Sequence, residues 1–93
     1  MTNTADNLKT ELFWCYRPEF NNDKVYSLTF MKTSMGCDVF AKYGARGGRQ
    51  TFFVHAEGVT EAAALATYAA VRREKTSTRK GYKAVDSVPV GAL

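Results

Sequence analysis

Lys42-Tyr43-Gly44-Ala45-Arg46-Gly47-Gly48-Arg49-Gln50 sets three cationic side chains and one aromatic ring within eight residues of a glycine-punctuated turn. Guanidinium forks match the spacing of phosphate oxygens, and an aromatic ring stacks on a base or sugar. Such a loop, too short to add to a core, suits a phosphate backbone better than a small organic substrate. Each residue also has a plainer use. Tyr43 also fits as a core ring under a helix, and Lys42, Arg46 and Arg49 as solubilising charges on a hairpin rim. Gly47-Gly48 supplies the positive φ angles of a tight hairpin turn. It lacks the GxGxxG or GxxxxGK spacing of a nucleotide-binding loop.

Other chemistry is not encoded. His55 has no carboxylate or nucleophile near it in sequence, and no serine or threonine sits in a nucleophile-elbow pattern. No carboxylate pair is spaced for acid–base work. Cys15, Cys37 and a lone histidine cannot build a four-ligand zinc site of the usual kind. Both cysteines fall in strand-like apolar runs and read as buried reduced thiols. The chain therefore reads as no enzyme, with no metal, cofactor or small-molecule substrate.

Charge points to a polyanion. Residues 1–40 hold four cations (Lys9, Arg17, Lys24, Lys32) and five acids (Asp6, Glu11, Glu19, Asp23, Asp38). Residues 41–83 hold nine cations against Glu57, Glu61 and Glu74, and the whole chain of 93 residues carries +4. A basic second half is the footprint of a nucleic-acid partner. Within it, Arg72, Arg79 and Lys80 form either a second basic surface or a solvated helix end.

The elements that must position these groups follow from periodicity. Leu12 to Tyr16 is a dense aromatic strand ended by Pro18, and Asn21-Asn22-Asp23 is a turn. Lys24 to Lys32 alternates with period two, as does Cys37 to Arg46 after a Ser34-Met35-Gly36 turn. Alternation places Arg46 with Lys42 and Phe40, opposite Tyr43, unless a bulge intervenes. Arg49 to His55 returns, and Gly58 breaks it. Thr60 is a helix N-cap with Glu61 against the dipole. The helix runs to about Thr76, its stripe being Ala64, Leu65, Tyr68 and Val71. Gly81 stops the exit and Tyr82 anchors it. The expected fold is α+β, a twisted antiparallel sheet of about four strands with one α-helix across one face. Residues 1–10 are expected to be a disordered tail, 11–85 a single domain and 86–93 a loose tail. No apolar run approaches a membrane span, and no leader pattern opens the chain, so the expected location is the cytoplasm.

The order of these motifs resembles the WGR domain, found in DNA-dependent poly(ADP-ribose) polymerases and in small bacterial proteins. The matching residues are Asn22-Asp23-Lys24-Val25-Tyr26, Tyr43-Gly44-Ala45, Gly47-Gly48-Arg49-Gln50, Glu61-Ala62, Lys75-Thr76 and Gly81-Tyr82. The resemblance covers roughly residues 12–85 and implies a twisted antiparallel sheet with a helix on one face. It also implies that Tyr43 takes the Trp position beside a DNA sugar and Gly44 the Gly position. The Arg position is Ala45, and Arg46 follows it. The expected site is then Lys42, Tyr43, Gly44, Arg46, Gly47, Gly48 and Arg49, with Arg72, Arg79 and Lys80. It serves a non-catalytic module that binds nucleic acid, DNA rather than RNA. The alternative is a protein–protein adaptor; exposed Trp14, Val25 and Met31 would favour it.

Overall fold

Period-two alternation builds four long strands, and one alanine-rich segment builds the helix that covers them. A computed structural model describes residues 8–88. The strands are β1 (Leu8–Arg17), β2 (Asn22–Thr33), β3 (Gly36–Ala45), β4 (Gln50–Val59) and β5 (Lys83–Val85). The helix α1 spans Glu61–Lys75, and a single 3-10 turn, Pro18–Phe20, joins β1 to β2. All five strands form one antiparallel sheet in the order β4-β3-β2-β1-β5. The α+β class holds, with one strand more than the four expected.

One face of the sheet makes the core. Register places Phe13 beside Tyr26 and Tyr26 beside Tyr43, with Leu28 beside Ala41 and Phe30 beside Val39. Phe13, Leu28 and Val39 are fully buried there, under Ala64 and Tyr68 of α1. Trimming Leu28 to Ala would cost about 2–5 kcal/mol through lost burial and the cavity left behind. The helix starts where Thr60 Oγ1 accepts the Ala63 N–H at 3.2 Å. Its inward stripe is Ala64, Tyr68 and Val71; Leu65, expected on that stripe, is exposed. The small Ala64 lets the helix backbone approach the sheet.

Several boundaries differ from expectation, β2 among them, which starts at Asn22 inside the expected turn. β1 begins at Leu8, because Leu8, Lys9 and Thr10 pair with Met31, Phe30 and Thr29. The tail expected over 1–10 is therefore corrected for residues 8–10, and residues 1–7 lie outside the described region. Asp86 to Val88 carry neither helix nor strand, and the rest of the tail expected over 86–93 lies outside it. β5 has no alternating pattern of its own and is a strand only because Leu12–Trp14 offer it an edge. Gly58 does not end β4 but sits inside it at φ 66°, beside irregularities that leave His55 without a single opposite partner in β3. No helix among the described residues is long and apolar enough to cross a membrane.

Candidate functional site

The Gly-rich hairpin is held from within. Gly47 takes φ 78°, and the Gly48 N–H donates to the Ala45 carbonyl at 2.9 Å. The Gln50 amide donates to the carbonyls of Ala45 and Gly48 at 3.0 and 3.3 Å. Gly44 is required by close approach, since a Cβ there would collide with the Arg49 carbonyl oxygen.

Arg46 turns to the sheet face opposite Tyr43, and its guanidinium grips Asp23 with Nε at 2.9 and 3.0 Å and Nη2 at 2.6 Å. Its backbone N–H also donates to the Asp23 carbonyl at 2.9 Å. The Trp14 indole N–H donates to the same carboxylate at 2.6 Å, and the guanidinium lies 5.6 Å from the Trp14 ring centroid. Only 10% of the Arg46 side chain is exposed. The hydrogen bonds from Arg46, then from Trp14, hold the Asp23 carboxyl below its ordinary range, and Asp23 in turn raises the Arg46 pKa. Arg46 is thus engaged as a structural clamp. Arg72 is engaged likewise: it donates from Nε to Glu11 at 3.1 and 3.3 Å and lies over the Phe13 ring. Burial pushes the Glu11 carboxyl up, but the hydrogen bonds from Tyr68 and Arg72 outweigh it and leave the group below its usual value.

On the helix-covered face, four of the expected residues do meet. Tyr43, Gly44, Arg79 and Lys80 line a cleft of about 380 Å³, together with Cys15, Arg17, Asn22, Lys24, Tyr26, Lys75 and Tyr82. Five cationic side chains and three tyrosines line it, and no carboxylate does. Its floor is the Tyr26 ring, stacked on Tyr43 at 5.5 Å, met edge-on by Tyr82 at 5.8 Å and capped by the Lys75 ammonium at 4.8 Å. Burial, then the nearby Tyr43, Glu74 and Tyr82, push the Tyr26 hydroxyl up to about 12. It shares a 2.8 Å hydrogen bond with His55 Nε2, whose pKa burial and then Lys75 lower. His55 is therefore tied to a neutral phenol.

The cleft's outer wall is the exit of α1. Its last carbonyls are satisfied by the Thr76 and Ser77 hydroxyls, and the Gly81 and Tyr82 N–H groups close the turn on Ser77 and Lys75. The Arg17 guanidinium reaches the Thr78 carbonyl at 3.1 Å, and the Cys15 thiol the Lys80 carbonyl at 3.6 Å. Arg72, Arg73 and Lys75 offset the negative end of the helix dipole here. A larger groove of about 580 Å³ runs along β1 and β5, but its charged residues are Glu11 and Asp86.

Of the expected site, Lys42 stands on the opposite face, and Gly47, Gly48 and Arg49 form an exposed rim. The residues that sequence reasoning missed are Arg17, Lys24, Lys75 and Tyr82. Parity carried a signal for two of them, since Arg17 is two residues from buried Cys15 and Lys24 two from buried Tyr26. Lys75 lies seven residues beyond Tyr68, on the same helix face. Lys24 stands directly opposite Ala45 in the ladder. The described residues contain no cluster of His, Cys, Asp or Glu that could hold a metal ion. Comparison of the chain with family models, with curated proteins and with solved structures finds no match.

Proposed function

We propose that this chain is a non-catalytic nucleic-acid-binding module whose cleft receives sugar-phosphate backbone. The observation that carries the reading is a concave site with five cations, three rings and no acid. Such a lining stabilises repeated negative charge, whichever bases the strand carries. The motif order that resembles the WGR domain supports DNA as the polymer. In this reading Tyr43 is the ring beside the backbone, and Lys24 supplies, from across the strand, the charge missing at Ala45.

The test is titration with blunt, nicked and single-stranded DNA at two salt concentrations. Binding should be strongest near ~50 mM salt, and each cleft cation removed should lower the salt slope by about one. Absence of binding at low salt would falsify the proposal. The competing reading is a protein adaptor; Trp14, Val25 and Met31, whose exposure would favour it, are half-buried, whereas Phe20, Met35 and Phe52 are exposed. Co-purification with a protein that survives nuclease treatment would select it.

A further inference from the structure

The sheet face opposite α1 is covered by no element among the described residues, and it is not a bland apolar surface. Two ring pairs stand on it. On β1, Trp14 and Tyr16 stack at 5.3 Å; on β3 and β4, Phe40 and Phe52 meet at 5.3 Å. Each pair has a supported inner ring and an open outer one. Trp14 is fixed by Asp23 and lies beside the Arg46 guanidinium, while Tyr16 is 56% exposed. Phe40 is half-buried, while Phe52 is 58% exposed.

Between the pairs, register places Val25 and Ser27 of β2 beside Gly44 and Lys42 of β3. Trp14 and Phe52 are three strand spacings apart across the sheet and two residues apart along it, about 16 Å in all. Lys42 stands between them, directly beside Phe52. Lys42 and Lys83 stand on this face, opposite Ser27 and Trp14, both exposed and neither in an ion pair among the described residues. Asp23 on this face is occupied by Arg46 and Trp14, and Asp38 by the Gly58 N–H at 2.8 Å.

We infer that this open face binds single-stranded nucleic acid, with unpaired bases stacked on Tyr16 and Phe52 and the backbone steered by Lys42 and Lys83. A duplex keeps its base planes inside and has nothing to lay on separated, outward rings; a single strand has. The inference rests on the nucleic-acid reading above, but it uses neither the cleft nor its cations.

The experiment titrates the whole chain with oligothymidylate and with a duplex of the same length, following emission from Trp14, the single tryptophan. Oligothymidylate should change Trp14 emission and bind more tightly than the duplex. Phe52→Ala and Tyr16→Ala, both at exposed positions, should each weaken oligothymidylate binding by about tenfold with the salt slope unchanged. Arg79→Ala with Lys80→Ala should lower the salt slope for both ligands. Ring variants without effect on oligothymidylate overturn the open-face site and leave the cleft reading standing. Silent cleft variants beside responsive ring variants do the reverse. Trp14 emission that changes with protein concentration alone, or a protein captured through Phe52, assigns the face to a protein and also overturns the inference.

Discussion

Arg46, the first residue after β3, and Lys24 of the neighbouring β2 lie at the same end of the sheet and have opposite fates. Arg46 faces the open side and is taken by Asp23 at 2.6–3.0 Å, with the Trp14 ring beside it. Lys24 faces the helix side and lines a cleft that holds no acid. Formal charge is equal, yet only the second lines the cleft proposed to bind nucleic acid. A guanidinium with its own carboxylate stabilises a hairpin; cations crowded without one wait for an anion. Counting basic residues along the chain misses this distinction, because it depends on which face each strand residue takes.

The comparison breaks most sharply in the cleft. Replacing Lys75, Arg79 and Lys80 together by Ala should weaken DNA binding roughly 10²-fold at low salt, flattening the salt slope by about three. The melting temperature should fall only by the modest amount that Lys75 contributes over the Tyr26 ring and at the helix end, and a larger fall would return all three residues to a structural role. Next comes Gly44, which belongs to both regions. Gly44→Val drives a side chain into the Arg49 carbonyl, so chemical denaturation should report a loss of about 1–3 kcal/mol. Binding should fall with it, because the same residue lines the cleft.

A smaller effect is expected at the clamp. Asp23→Asn keeps the shape and removes the ion pair; the melting temperature should drop while DNA affinity holds or rises, as Arg46 is released. Weakened binding in this variant would show that the clamp serves the ligand directly. The mildest test is acidification. The folded chain holds the Asp23 proton less tightly than the unfolded chain does. Its contribution is therefore complete above the ordinary Asp value of about 3.9 and disappears as pH falls through the lower folded value. Glu11 acts with the same sign. The difference between wild type and Asp23→Asn should isolate Asp23 and vanish at the acid limit.

Much of the architecture was legible because burial imposes a period. Tyr26, Leu28 and Phe30 alternate cleanly, and Thr60 with the alanine run announces α1. β5 was not legible: Lys83-Ala84-Val85 has no pattern, and its pairing depends on the edge of β1. Arg46's face was legible from parity, but its capture by Asp23 needed the β2–β3 register, which brings Lys24 beside Ala45 and Asp23 beside Arg46. The cleft was half legible. Tyr43 and Gly44 come from a motif, whereas Arg17 and Lys75 arrive from elements distant in sequence, and no local spacing links them.

The kinked outer strand also governs how the sheet ends. β4 presents Phe52, Phe53 and Val54 consecutively, a run inviting a neighbouring chain to add on. Its pairing is regular only over Gln50–Val54; from His55 onward two register slips bend it. An incoming chain finds five backbone positions in step and then loses alignment, so the fold caps its own polymerisation front by geometry rather than by charge.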